Sequence, residues 1–301
     1  MKYVFVVGAP RSGTTYLARA MGLAKATAYF EEAGIFAVYG PRRFPGYFTD
    51  RLKESDVFSD RALFQGILRL ADRLRQKDRL AILVERMLLH TKVGPYDLKP
   101  SSSLIRVQRC MLNNQDQKRM AELCDKYRAL EQDGFPAVCQ AYFDDFLALC
   151  ERPVLVEKTP AHIEWVPIIR AVYPEAGIVM IHRDKRDSLA SFLLNYNPRN
   201  SLQTRFLPER NLIKRQCQMC VYYEQIENWL RNQSWCKCVE YKSMVESPLE
   251  EVTGIWEWMG LDEDPAMQAG LFVSRKADSR WEKLSKAQKR LITHYLGEQD
   301  R

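Results

Sequence analysis

A short apolar stretch that runs straight into a glycine-rich turn is the feature that most constrains the fold of this chain. Residues 3–7 (YVFVV) are apolar and rich in β-branched and aromatic side chains, which indicates a strand buried on both faces. Gly8 ends this strand, and apolar residues recur at helical spacing from Thr14 onward. The sequence therefore predicts a strand, a turn over residues 8–13 and a helix that follows directly.

The predicted turn is suited to bind an anion. The first N–H groups of a helix lack carbonyl partners, and the positive end of the helix dipole points at the turn. Gly8 and Gly13 have the spacing of the nucleoside-triphosphate loop G-x-x-x-x-G-K-[ST], but Thr14 stands at the lysine position, and Arg11 is the cation of the turn. We therefore expect an anion site without the geometry that holds a triphosphate and its magnesium ion.

Two separated motifs resemble those of sulfotransferases that use 3′-phosphoadenosine 5′-phosphosulfate (PAPS). The run GAPRSGTT resembles the family's 5′-phosphosulfate loop, and the later run IVMIHRDKRDSLAS is similar to its 3′-phosphate motif. In that second motif an arginine at a strand end and a serine eight residues later hold the extra phosphate, and Arg183 and Ser191 have this spacing. The resemblance implies that the following residues hold the 5′-phosphosulfate: Arg11, Ser12, Gly13, Thr14 and Thr15.

Two adjacent carboxylates beside aromatic residues form the next candidate feature. Glu31 and Glu32 follow Tyr29 and Phe30, and such a pair is often only the solvated start of a helix. Transfer to an alcohol also needs a base, and a carboxylate in partly apolar surroundings has its pKa raised toward that role. Carbohydrate sulfotransferases of the heparan type have a glutamate at this point. The resemblance implies Glu32 as the base, with Glu31 in reserve.

A lysine follows another predicted strand, over residues 154–156. It lies at the carboxyl end of that strand, where ligands of open α/β sheets bind. The run EKTPAH resembles the EKTPAY stretch of heparan sulfate sulfotransferases, which implies that Lys158 neutralises charge on the leaving phosphate. The alternative is a salt bridge from Lys158 to Glu157 or another acid. We interpret His162 as a helix cap or a surface residue in preference to a base.

A basic loop over residues 274–281 precedes the last predicted helix. The family covers PAPS with a basic C-terminal loop, so the resemblance gives three candidates for a further contact to the 3′-phosphate: Arg275, Lys276 and Arg280. Asp184 and Asp187, which lie beside the Arg183 motif, are interpreted as surface or helix-cap charges.

The order of strands and helices predicts an α/β fold of the P-loop type, with a mainly parallel central sheet flanked by helices. We expect one domain over residues 1–301, in which residues 41–151 form a mostly helical insertion that binds the acceptor. Helical spacing is present over residues 62–74, 117–130 and 141–149.

Composition and charge indicate which classes of ligand and partner this chain suits. A net charge of +7 suits an anionic cofactor, and no nucleic-acid partner is expected. No apolar run approaches the roughly 20 residues of a membrane span, so we expect a cytoplasmic protein without a transmembrane segment. Cys217, Cys220, Cys236 and Cys238 offer four zinc ligands, but they fall in a predicted helix and a predicted strand. We therefore expect no metal site.

The resemblance implies an enzyme that moves a sulfonate from PAPS to a hydroxyl of an acceptor, a carbohydrate or a glycosylated metabolite. Adenosine 3′,5′-bisphosphate is left, and no metal is required because cations and N–H groups supply the electrostatics. A P-loop kinase or NTPase is one alternative, although it would need the lysine that Thr14 replaces. The other is an inactive nucleotide-binding module that keeps Arg183 and Ser191. The enzyme hypothesis requires Arg11 and Arg183 to face one cavity.

Overall fold

A single parallel sheet organises the protein. The computed structural model describes residues 1–53, 80, 84, 87–88, 114–195, 208–262 and 279–297. The strands in these ranges are β1 Tyr3–Val7, β2 Thr27–Glu31, β3 Val154–Lys158, β4 Gly177–His182 and β5 Cys236–Glu240. They form a sheet of order β2-β3-β1-β4-β5 in which each neighbouring pair runs parallel. The expected α/β fold with a parallel central sheet is confirmed.

Helices cover the sheet. They are α1 Thr14–Met21, α2 Gly40–Arg43, α3 Pro45–Lys53, α4 Asn114–Leu130, α5 Phe135–Cys150, α6 Val166–Val172, α7 Lys185–Asn195, α8 Glu209–Arg231, α9 Tyr241–Glu246, α10 Pro248–Met259 and α11 Lys286–Tyr295. Short stretches of π-helix (Ile35–Tyr39) and of 3₁₀-helix (Glu131–Asp133, Pro160–Trp165, Trp281–Lys283) complete the described elements. The helices predicted over residues 117–130 and 141–149 fall inside α4 and α5, whereas the one predicted over residues 62–74 lies outside the described residues.

The central strands are apolar on both faces because helices cover both faces. Phe5 and Ile178 belong to one apolar cluster, which includes residues of α5 and α6. Val6 and Val179 belong to a second cluster, with residues of α1 and α10. Successive strand residues thus alternate between two cores, which is why the sequence of β1 shows an unbroken apolar run.

Strand β2 was absent from the sequence-based prediction. The segment before Glu32 is a fully buried edge strand, so a solvated helix start is the wrong interpretation of the two adjacent acids. Glu31 is the last residue of β2 and Glu32 follows it. Because all five strands run parallel, their carboxyl ends meet at one edge of the sheet, and both acids lie at that edge.

Among the helices of the described ranges, none combines the length and the apolar composition needed to cross a bilayer. The cysteines considered as zinc ligands are a separate matter. Cys217 is buried in an apolar cluster with Leu189 and Ile292. The same ranges contain no group of three or more histidine, cysteine or acidic side chains arranged to hold a metal ion.

A buried acid outside the sheet makes stability depend on pH. Glu164 lies in the turn Pro160–Trp165 and accepts a hydrogen bond from the Tyr223 hydroxyl at 2.7 Å. Burial raises the pKa of Glu164 from 4.5 to about 7. Because the folded pKa is the higher one, ionisation of Glu164 costs stability increasingly as the pH rises from 4.5 to about 7, and fully above that range.

Glu164→Gln is expected to stabilise the protein in a pH-dependent way. Glutamine cannot ionise and keeps an oxygen for Tyr223, so the free energy of unfolding should rise by up to about 3 kcal/mol at pH near 8. It should change little at pH near 4.5, where both forms are uncharged when folded. Urea unfolding of variant and parent at both pH values measures this. An equal effect at the two pH values would contradict the assignment.

Candidate active site

One cavity of about 750 Å³ opens at the carboxyl edge of the sheet. This volume is within the roughly 300–1,000 Å³ typical of small-molecule sites. Arg11 and Arg183 both line it, so the two anion-binding motifs face the same space. The other lining residues are Pro10, Gly13, Thr14, Thr15, Tyr16, Arg19, Glu31, Glu32, Lys158, Pro160, Ser191, Tyr241, Val245 and Arg280.

The turn after β1 is held in a conformation that few residues adopt. Gly13 has φ 107°, and a Cβ atom there would lie 2.8 Å from Cδ2 of Tyr241. Arg11 also has a positive φ of 73°, which is uncommon for a residue with a side chain. Gly13, Thr14 and Thr15 line the cavity at the start of α1, whereas Ser12 is fully buried within the turn. The start of α1, where the N–H groups of a helix lack carbonyl partners within the helix, therefore lies at the cavity beside Arg11.

Arg183 follows β4 and is oriented by two contacts. Its guanidinium lies 4.1 Å from the centre of the Tyr241 ring, and its Nη1 donates to the carbonyl oxygen of Arg11 at 3.2 Å. No acceptor within the described residues bonds to its buried Nε. Burial lowers the pKa of Arg183, and the nearby Arg280 and Arg11 lower it further. A donor without a partner and mutually repelling cations together favour an anion at this end of the cavity.

Lys158 is a buried cation at the centre of the site. Its side chain is 1% exposed, and its Nζ lies 3.1 Å from Glu31 Oε1 and 3.3 Å from Glu32 Oε1. Lys158 therefore does form salt bridges, as the alternative interpretation proposed, and its partners are these two acids. Glu157 is not one of them, because successive residues of β3 point to opposite faces of the sheet.

The two adjacent glutamates differ in environment. Glu31 accepts a hydrogen bond from the Tyr29 hydroxyl at 2.9 Å and pairs with Arg19 at 3.3 Å and Lys158 at 3.1 Å. Burial by itself would raise the pKa of Glu31, but Lys158, Tyr29 and Arg19 together lower it. Glu31 is therefore a poor base. The Glu32 side chain is 40% exposed and faces the cavity from a backbone with φ 57°.

A buried network behind the site was missed by the sequence-based interpretation. His162 is fully buried, so its assignment as a surface residue was wrong, and its Nδ1 lies 2.9 Å from Glu157 Oε2. Glu157 Oε1 accepts from the Thr159 hydroxyl at 2.6 Å and from the Ala33 N–H at 3.2 Å.

The end of β3 also fixes the backbone that carries Glu32. The Glu32 N–H donates to the carbonyl oxygen of Lys158 at 2.6 Å, and the next N–H, that of Ala33, is held by Glu157. Together these bonds hold Glu32 in its left-handed conformation beside Lys158. The sequence did contain a signal for this role of Glu157. It is an acid directly before a lysine in a strand that is buried along its whole length, and a buried acid needs partners.

The structure describes only some of the other residues that the sequence analysis singled out. Arg280 lines the cavity, whereas Arg275 and Lys276 lie outside the described residues. Asp184 caps α7, since its side chain accepts from the Asp187 N–H at 3.0 Å. Several lining residues had not been singled out, and Arg19 and Tyr241 are among them. Arg19 is one helical turn after Thr15, and Tyr241 directly follows β5, so both positions carry a signal in the sequence.

A parallel sheet whose central strand leads through a glycine-rich turn into the first helix defines a protein with the P-loop-type fold. A family model described as "Sulfotransferase family" matches residues 4–265. The chain belongs to the sulfotransferase family, and it is therefore a transferase whose class of reaction is sulfonate transfer.

Solved structures of other sulfotransferases are similar to this chain. Sulfotransferase STF9 from Mycobacterium avium is 15% identical, with a TM-score of 0.51 over 98% of this chain and 76% of that one. The sulfotransferase domain from the curacin biosynthetic pathway is 13% identical, with a TM-score of 0.48 over 99% of this chain and 98% of that one. STF1 from Mycobacterium tuberculosis H37Rv is 17% identical, with a TM-score of 0.49 and coverage of 98% and 76%. The likeness to STF9 supports the fold alone. A search of curated proteins gives no match.

Glu31→Gln is expected to destabilise the protein at neutral pH. It removes one carboxylate from the buried Lys158 ammonium, which should lower the free energy of unfolding by about 2–4 kcal/mol at pH near 7. Because the folded pKa of Glu31 is lowered from 4.5, its stabilising contribution is present above pH 4.5 and is lost as the pH falls through the folded value.

Urea unfolding at neutral and at acidic pH measures this loss. Glu122→Gln, at an exposed position of α4, is the matched control and should change the free energy of unfolding by less than about 0.5 kcal/mol. A Glu31→Gln variant as stable as the control at pH near 7 would show that the Glu31 and Lys158 pair contributes nothing.

Proposed function

We propose that this sulfotransferase takes its sulfonate from PAPS and transfers it to a hydroxyl of a carbohydrate or a glycosylated metabolite. One observation carries the proposal. The turn after β1 and the Arg183 motif after β4 lie on neighbouring strands and line the same cavity, which also contains Lys158 and Glu32. PAPS carries phosphate groups at both ends of its ribose, and the two motifs match them.

The residues at each end of the cavity suit the two charged ends of that donor. Arg11, Thr14 and Thr15 would bind the 5′-phosphosulfate together with the N–H groups at the start of α1. Arg183 and Ser191 would bind the 3′-phosphate, with Arg280 as a third contact. A doubly charged phosphate would accept a hydrogen bond from the Arg183 Nε, which has no partner among the described residues. It would also offset the repulsion of Arg183 by Arg280 and Arg11. PAPS, when bound, supplies an activated sulfonate on a good leaving group.

The catalytic roles follow from what Glu32 and Lys158 can reach. Glu32 is the cavity carboxylate that is partly exposed, so it would accept the proton of the acceptor hydroxyl as that oxygen bonds to sulfur. Lys158 would donate a hydrogen bond to the bridging oxygen as the bond from that oxygen to sulfur breaks. Arg11 would stabilise the charge on the transferring group. Glu31 pairs with the Lys158 ammonium and holds it in place.

The acceptor site is proposed to lie in the insertion over residues 41–151 of a single domain. The insertion begins soon after Glu32, at the edge of the sheet where the cavity opens, and the chain returns to the sheet as β3, which ends at Lys158. Its described parts are helical and include α3, α4 and α5. The segment that would contact the acceptor therefore connects the two catalytic candidates.

Incubation with PAPS labelled in its sulfonate, together with extracts of the native host, tests the proposed reaction. Label should move to a hydroxylated molecule that glycosidase treatment breaks down, and adenosine 3′,5′-bisphosphate should form in equal amount. ATP with magnesium should not replace PAPS. A protein that binds the bisphosphate but labels nothing would be the inactive module, and transfer from ATP in preference to PAPS would indicate a kinase.

Glu32→Gln and Lys158→Ala are expected to abolish turnover while nucleotide binding survives. Each should lower kcat by about 10²-fold or more, because one loses the base and the other the charge opposite the leaving group. The affinity for adenosine 3′,5′-bisphosphate should stay within about threefold. Calorimetric titration and initial rates give both quantities, with Glu122→Gln as control. Normal turnover in either variant would refute the role of that residue.

Turnover is also expected to be independent of divalent metal ions. Cationic side chains and helical N–H groups supply the positive charge in the proposed mechanism, so excess EDTA should leave the initial rate unchanged. The comparison is the same assay with added magnesium chloride. A loss of activity in EDTA that magnesium restores would contradict the proposed chemistry.

A further inference from the structure

The carboxylate of Asp187 joins helix α7 to the segment that carries Arg280. Its Oδ1 accepts a hydrogen bond from the Ser279 hydroxyl at 2.9 Å and another from the Trp281 N–H at 3.1 Å. Ser279 and Trp281 are the residues immediately before and after Arg280. A single carboxylate oxygen therefore holds the chain on both sides of the arginine.

The same helix carries the serine expected at the 3′-phosphate. Asp187 and Ser191 are four residues apart in α7, so they lie on one face of the helix, one turn from each other. Ser191, Arg183 and Arg280 line the cavity, whereas Asp187 does not. The carboxylate thus lies behind these groups and contacts the backbone and hydroxyl of the Arg280 segment.

Apolar and cation–π contacts hold the rest of this segment without Asp187. The Trp281 ring lies 5.4 Å from the Arg186 guanidinium and 5.7 Å from the Lys289 ammonium. Trp281 and Leu284 pack in a cluster with Leu189. Loss of the Asp187 carboxylate should therefore free the backbone around Arg280 while the fold and the packing of Trp281 and Leu284 near Leu189 persist.

Electrostatics give Asp187 a second effect on the same group of cations. Arg280 and Arg11 both repel the positive charge of Arg183, and Asp187 attracts it. Before an anion binds, Arg280 would reduce this repulsion by turning toward solvent. A short carboxylate that fixes the backbone on both sides of Arg280 opposes that movement.

We propose that Asp187 is a positioning residue that holds Arg280 against the 3′-phosphate end of the cavity and so contributes to selection of a 3′-phosphorylated nucleotide. This inference rests on the proposed function. It also gives Asp187 a task beyond that of a surface or helix-cap charge. Because its effect passes through Arg280, the two residues should act as one unit and should leave the 5′ end of the nucleotide unaffected.

Calorimetric titration with two nucleotides tests this coupling. Adenosine 3′,5′-bisphosphate contains the 3′-phosphate and adenosine 5′-phosphate lacks it. Asp187→Ala and Arg280→Ala are each expected to weaken binding of the bisphosphate by about tenfold, since each loses one charge-assisted contact. The double variant should be no more than about threefold weaker than either single one. Binding of the 5′-phosphate should change by less than about twofold in all three.

Matched variants separate positioning from a general loss of structure. Asp144→Ala removes a surface carboxylate that also accepts two hydrogen bonds, from Lys2 and Tyr3, and it should alter neither nucleotide affinity. Asp187→Asn keeps an oxygen for Ser279 and Trp281 and should stay within about threefold of the parent. Ser279→Ala removes one donor and should weaken bisphosphate binding by about threefold, which keeps the test available where Asp187→Ala fails to fold.

The outcomes distinguish this inference from the proposed function. A parent protein that does not prefer the bisphosphate to the 5′-phosphate overturns the proposed function and the role of Asp187 with it. A parent that does prefer it, with Asp187→Ala and Arg280→Ala effects that multiply in the double variant, overturns the role of Asp187 alone. Equal weakening of both nucleotides by Asp187→Ala would likewise overturn it.

Discussion

The parallel pairing of β1 with both of its neighbours is the constraint on which the site depends. Val6 is in register with Lys158 of β3, and Val7 is in register with Met180 of β4. The turn that follows β1 therefore has Lys158 on one side and the Arg183 motif on the other. A parallel sheet brings all carboxyl ends to one edge, so groups distant in sequence meet in one cavity.

The burial of Lys158 explains which residues lie at the carboxyl ends of β2 and β3. An ammonium that is 1% exposed needs compensating charge, and β2 provides it by ending in Glu31 next to the end of β3. The alternation of side chains along β3 then sends Glu157 to the opposite face, where it binds His162 and the Ala33 N–H. The end of β3 thus places the charge of Lys158 in the cavity, and through Glu157 it orients the backbone next to Glu32.

The other end of the cavity concentrates positive charge. Arg183 stacks on Tyr241 and bonds to the Arg11 carbonyl oxygen, and its Nε–H finds no partner in the part of the chain that the structure describes. Holding several guanidiniums close together is unfavourable until an anion binds, so the surrounding structure must keep them in place. Tyr241, supplied by the residue after β5, and the carboxylate of Asp187 both serve this purpose.

The sequence by itself determined the parts of this protein whose signals are local. Periodicity predicts the strand and the helix within residues 3–21, and the family resemblance, which rests on a local motif, indicates the pair Arg183 and Ser191. The tertiary structure alone decided which acid pairs with Lys158, why His162 is buried, and that Asp187 reaches the chain around Arg280. The Lys158 and Asp187 contacts join segments far apart in the sequence, and Asp187 and Trp281 are separated by 94 positions. Only the packing of the sheet and helices fixes the distances of such contacts and the burial of His162.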